Sequence, residues 1–172
     1  TALITVARQY AENYTNRVFV QRTLELLLQS FQQHCHSDGS IEIPYPPLQS
    51  VTSIKYLDLG GALQTLAASE YQVDVYRGPG LVKPAYLSTW PVTTRPDFNS
   101  VQIQYVAGYA AVGSPVADWF GVSELESLRQ WMRIRVAQMY AYREAIVTGT
   151  IVAELKHNYV DGLLDKYLVS IF

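Results

Sequence analysis

Between Leu3 and Tyr14 the apolar side chains fall at Leu3, Ile4, Ala7, Tyr10, Ala11 and Tyr14, the three-and-four spacing that gathers them on one face of a helix. The pattern predicts an amphipathic helix over residues 1 to 17. From Arg22 onward the period shortens to two, at Leu24, Leu26 and Leu28, then Ile41 and Ile43, then Tyr71, Val73 and Val75, then Val101, Ile103 and Tyr105. These segments read as strands. Glycine-bearing breakers separate them, at Ser37-Asp38-Gly39, Asp58-Leu59-Gly60-Gly61 and Gly78-Pro79-Gly80, and links this short favour antiparallel pairing.

At Ser123 the period lengthens again. Ser123 with Glu126 three residues on has the form of a capping box, and Leu125, Leu128, Met132, Val136, Met139 and Ile146 carry one apolar stripe to Thr148, with Gly149 as the stop. That is a long helix of about seven turns. The last stretch, ELKHNYVDGLLDKYLVSIF, keeps a helical pattern and ends on an apolar tip, so it reads as an arm. The predicted layout is one domain over residues 1–172 of class α+β. Residues 1–20 form a helix, 21–110 an inserted antiparallel β module, 121–148 a long helix that packs on the first, and 149–172 the arm.

Composition narrows the function classes. With 172 residues, 49% of them hydrophobic, the chain can bury one real core. Thirteen basic and fifteen acidic side chains give a net charge of -2, which lacks the basic excess of a tight nucleic-acid binder. A single cysteine, Cys35, precludes an internal disulfide and points to assembly inside a cell. No apolar run reaches the ~20 residues that span a bilayer, so no membrane role is expected. The chain opens on Thr1 in mid-pattern, which implies that residues precede it.

Candidate chemistry is sparse. His34 and His36 flank Cys35 and would share one side of a strand, yet a closed zinc site needs four ligands and the remaining histidine, His157, lies in the arm. A polar strand end before a turn accounts for them. Asp118, Glu124 and Glu126 could pair as acid and base, although acidic residues at a helix start are expected from its dipole alone. No glycine-rich loop has phosphate-cradling spacing, and there is no Gly-x-Ser-x-Gly elbow. The sequence therefore points away from an enzyme, with no catalytic residue, metal or cofactor expected. What remains is aromatic and basic. Thirteen tyrosines and three tryptophans exceed the needs of a core of this size and suit contact surfaces. Arg129 and Arg133 lie four apart on the long helix with Arg135 and Arg143 close by, placed for ion pairing with Glu126 and its neighbours or for contact with another subunit or DNA.

The series Ile41-Glu42-Ile43-Pro44, Pro46-Pro47-Leu48, Ser50-Val51, Ser53-Ile54 and Tyr56, then Gly61, Gln64-Thr65-Leu66, Tyr71 and Val73-Asp74, resembles the β insertion of head-tail connector (adaptor) proteins of tailed bacteriophages and gene transfer particles. Trp90-Pro91, Val101, Tyr105, Ala107-Gly108-Tyr109 and the helix end Ala137-Gln138-Met139-Tyr140-Ala141-Tyr142-Arg143-Glu144 extend the resemblance over roughly residues 2 to 147. Pro46 and Pro47 cannot donate ladder hydrogen bonds, so this block specifies a corner at a strand end. The family has a further helix before the segment matching Leu3 to Arg17.

The resemblance implies a virion protein of the head-tail junction, assembled in the host cytoplasm. It implies a homo-oligomeric ring of about twelve copies on the portal, presenting the next surface to the tail or stopper while double-stranded DNA passes through the lumen without tight binding. Arg129, Arg133, Arg135 and Arg143 are then candidates for the subunit interface or the lumen. Tyr159, Leu163, Leu164, Tyr167, Leu168, Ile171 and Phe172 are candidates for an arm that leaves its own subunit and docks on the portal or a neighbour, the other disposition being to pack on its own subunit. The runner-up class is a small β-type carbohydrate- or protein-binding module using Tyr45, Trp90 and Tyr109. A metal-dependent enzyme using His34 and His36 is the third.

Overall fold

A computed structural model describes residues 2–32, 35–92, 95, 97–109, 125–141 and 160–169. Helix α1 spans Ala2–Thr15. Seven strands follow: β1 Arg22–Leu28, β2 Ile41–Ile43, β3 Leu48–Leu57, β4 Leu63–Leu66, β5 Tyr71–Asp74, β6 Gly80–Pro84 and β7 Val101–Ala107. Helix α2 is described over Glu126–Ala141, and a 3-10 turn at Asp165–Tyr167 lies in the C-terminal segment. The fold is α+β, with helices at both ends of the chain and the strands between them. The proposed capping residue Ser123, the helix beyond Ala141 and the arm before Val160 fall outside the described residues.

The strands form two antiparallel sheets, one in the order β1-β7-β3-β4 and one in the order β2-β6-β5. Alternation decides which side chains meet between them. On β7, Val101, Ile103, Tyr105 and Ala107 are buried, and on β1 the inward set is Leu24, Leu26 and Leu28. Ile41, Ile43 and Val82 of the smaller sheet join Ile54, Ile103 and Phe31 in one core. Each such side chain contributes about 1.5 to 3 kcal/mol through the water it leaves. Trp90 closes the end of this core, stacked on Phe31 at 4.7 Å and donating its indole N–H to the Gly39 carbonyl at 2.7 Å.

A second core joins the helices. Ala7 and Ala11 of α1 pack with Phe19, Leu125, Leu128, Trp131, Met132, Val160, Leu164 and Tyr167. The side of α1 turned inward is thus Ala7, Ala11, Glu12 and Thr15, while Ile4, Tyr10 and Tyr14 of the expected apolar face are 54%, 46% and 36% exposed. Two alanines let the helices approach closely, and Glu12 is tolerated inside because its carboxylate accepts the Phe19 N–H at 2.9 Å and lies 3.9 Å from Arg22. The chain folds back onto that carboxylate because Asn16, at φ 54°, ends α1 in a left-handed conformation.

The Pro46-Pro47 corner ties the two cores together. Its two carbonyls accept the N–H groups of Val18 at 3.2 Å and Gly108 at 2.9 Å, and Tyr109 donates to the Phe19 carbonyl at 3.1 Å. Gly108 has φ 118°, and a Cβ there would sit 2.6 Å from the Gln21 backbone, so only glycine fits.

Candidate subunit-contact surface on the helical layer

Trp131 of α2 is 1% exposed, and its indole N–H donates to Asp161 Oδ1 at 3.0 Å. Arg135, one turn along, donates to the same oxygen at 2.7 Å, and its guanidinium lies 5.5 Å from the Trp131 ring centroid and 5.9 Å from that of Tyr10. Tyr10 stacks on Trp131 at 5.6 Å. Tyr14 donates to Asp165 at 3.1 Å, and the hydrogen bond to that carboxylate holds the Tyr14 hydroxyl above its usual pKa. Below them Arg17 donates to the Tyr167 carbonyl at 2.6 Å, Asn16 to the Val169 carbonyl at 3.0 Å, and Val169 donates to Thr15 at 3.1 Å. These bonds fasten residues 160–169 to α1 and α2.

That network bears on two of the sequence-based candidates. Arg135 is paired with Asp161 of its own subunit, and its guanidinium lies over two aromatic faces. Between Val160 and Val169 the C-terminal segment packs on the helices of its own chain: Leu164 is 0% and Tyr167 6% exposed, buried in the helical core, with Leu163 packed at its margin. A segment this apolar is seated on the nearest apolar surface, which α1 and α2 provide. Only Leu168, 47% exposed, projects outward among the described candidates. Tyr159, Ile171, Phe172 and Arg143 lie outside the described residues.

A different face of the helical layer is open. A groove of about 420 Å³ is lined by Ile4, Met132, Val136, Ala137 and Tyr140 together with Arg129 and Arg133. Tyr140 is 64% exposed, so large apolar side chains stand in water on both helices. Arg129 pairs with Glu126 at 2.7 Å across one helical turn, the ion pair its spacing allows. Arg133 is exposed and makes no ion pair among the described residues. The sequence pattern singled out Arg129 and Arg133, whereas Ile4 was placed on the inward face of α1.

For the other two candidate classes the described residues show no assembled site. Trp90 is 7% exposed and stacked on Phe31 within the β core, while Tyr109 stacks on Phe19 beside the Pro46-Pro47 corner, so the exposed aromatic platform such a module needs is not formed by Trp90. His36 lies 3.8 Å from Glu42, and no metal-holding group of His, Cys, Asp and Glu exists among the described residues. His34 lies outside them.

No protein-family model and no curated protein matches the sequence. Solved structures do resemble the fold. The chain is similar to a component of the neck of an empty gene transfer agent particle, solved with C6 symmetry, at a TM-score of 0.70 and 19% identity over 99% of this chain and 77% of that one. It is equally similar to one in the neck of the native particle with C12 symmetry, at 0.69 and 19% over 99% and 82%. A chain of the native gene transfer agent virion gives 0.70 and 19% over 99% and 77%. The fold is therefore similar, over nearly the whole length of the chain, to that of chains found in gene transfer agent particles.

Proposed function

We propose that the protein is a structural component of the neck of a tailed-phage or gene-transfer-type particle, where copies of it form a ring between head and tail. The observation that carries this reading is the likeness of fold over 99% of the chain to neck components of ring symmetry. In such a ring each copy meets the next through two different surfaces, and the head-to-tail contact repeats until it closes. The groove between α1 and α2 is one half of that contact. Its apolar lining supplies the buried area, and Arg133 supplies a charge that an acidic residue of the next copy neutralises.

The ring docks on a portal and presents its other side to a tail or stopper protein, with duplex DNA passing through the centre. A conduit needs weak contact with the genome, and a chain of net charge -2 lacks the basic excess that grips phosphates. No catalytic role is proposed.

The test combines Arg133→Glu with Ile4→Asp, two exposed positions, and compares ring formation by negative-stain imaging with thermal stability. The variant is expected to remain folded and lose rings. Rings of unchanged abundance would remove the groove from the interface. Absence of rings in the parent protein, alone and with portal-bearing heads, would overturn the neck reading itself.

A further inference from the structure

Among the described residues nothing pairs with the outer edge of β1 or of β4 in the larger sheet. Edge strands of free-standing proteins are commonly blunted by lysine, proline or bulges, because bare N–H and C=O groups recruit other strands. Here neither edge carries proline, lysine or a bulge, the register irregularities of this sheet falling in β3 instead; the exposed charges of β1 are confined to Arg22 and Glu25, and β4 is four residues long. Apolar side chains stand exposed on both edges, Leu27 at 44% and Leu63 at 52%.

We infer that successive copies join edge to edge, β4 of one against β1 of the next, so that their four-stranded sheets merge into one continuous belt. This inference rests on the ring reading above and specifies how the ring closes in the β layer. Direction fits first. Each neighbouring pair in the order β1-β7-β3-β4 is antiparallel, so β1 and β4 run in opposite senses and a copied β1 laid beside β4 continues the alternation. Register fits next. Leu26, Ile103, Ile54 and Leu66 occupy one cross-strand row, and Leu27, Gln102, Lys55 and Thr65 the next. A copy added without stagger sets Leu66 beside Leu26 on the inner face and Thr65 beside Leu27 on the outer face. Both faces keep their character, which a slip of one residue would reverse. Leu63 then lies diagonally across from Leu27, and the two exposed leucines shield each other. The occupant is a second copy of this chain because one molecule carries both complementary edges, and an edge that accepts its own opposite edge builds a ring or filament rather than a dimer.

A disulfide tests the pairing. In a Cys35→Ser background, Leu27→Cys and Thr65→Cys are introduced together and singly. Within one copy these positions are three strand spacings apart, roughly 14 Å, beyond the reach of a disulfide, whereas across the inferred junction they are direct neighbours. Oxidation of the double variant is expected to give a ladder of covalent oligomers on a non-reducing gel, while each single variant remains monomeric. A Leu27→Lys variant, altered at an exposed position, is expected to keep its melting temperature and lose at least tenfold in ring yield. Rings in the images without a ladder would overturn the edge pairing and leave the neck reading standing. Dimers from Leu27→Cys alone would also overturn it, by showing β1 paired with itself. No rings in any variant or in the Cys35→Ser parent, alone and with portal-bearing heads, would overturn both.

Discussion

Replacing Leu164 with alanine separates a C-terminal segment that belongs to its own subunit from one that serves only as a docking arm. Leu164 is 0% exposed and sits among Ala7, Ala11, Phe19, Leu125, Leu128 and Trp131. Truncating a buried leucine removes its transfer free energy and leaves a cavity, together costing about 2 to 5 kcal/mol. At ~3 kcal/mol, and roughly 2 to 4 °C per kcal/mol for a chain of this size, the melting temperature should fall by about 6 to 12 °C. The variant should still be folded at 25 °C, given total stabilities of about 5 to 15 kcal/mol. Leu168→Ala is the control, since Leu168 is 47% exposed, and it should change stability by less than ~1 kcal/mol. Differential scanning fluorimetry, backed by urea titration, reads both. A melting temperature within 2 °C of the parent for Leu164→Ala would refute the docked segment, most sharply if attachment to portal-bearing heads were lost at the same time.

Asp161→Ala should cost about 2 kcal/mol by urea titration, because Trp131 loses its acceptor and Arg135 its charged partner, with the Gln138 contact and partial solvent exposure of Arg135 moderating the loss. Asp161→Asn, which can still accept the indole N–H, should cost less than half as much. Burial pushes the Tyr105 hydroxyl up to about 12, above the ~10 of an unfolded tyrosine, so the folded state retains this proton to higher pH. Its contribution is therefore complete below pH 10 and declines as pH rises from 10 towards 12, by up to ~2 kcal/mol, and Tyr105→Phe should flatten that part of the stability-pH curve. Gly108→Ala should destabilise by ~2 kcal/mol or more, through the clash with the Gln21 backbone and an unfavourable φ, measurable as a lower urea midpoint with an unchanged slope.

Period-two segments were the most legible part of the sequence, because each buries one face of a sheet and alternation is all that requires. Leu24, Leu26 and Leu28 turn inward on β1, and Val101, Ile103 and Tyr105 on β7, as their spacing predicts. Strands β3, β4 and β6 carry no clean alternation, β3 because two register irregularities interrupt it. Leu-Gln-Thr-Leu has an apolar residue only at each end, and Gly-Leu-Val-Lys-Pro begins in a Gly-Pro-Gly sequence that reads as a turn. The helix at the start of the chain was legible but its inward angle was not. A stripe of apolar residues fixes a face to within its own width, and the small side chains of Ala7 and Ala11 decide which part of it approaches α2. Burial of Glu12 depends on N–H groups seven and eight residues later, delivered by a reversal at Asn16 that no composition rule marks. Arg135 illustrates the same limit, since its partner Asp161 is twenty-six residues away along the chain. Local spacing correctly paired Arg129 with Glu126 and could not see that longer contact.

Gold labelling of a peptide-tagged copy of this chain in purified particles measures its place in the particle directly. Electron micrographs are predicted to show label concentrated at the junction between head and tail, on particles that remain complete. Label spread over the head shell or along the tail, or particles that carry none of the tagged chain, would contradict the account.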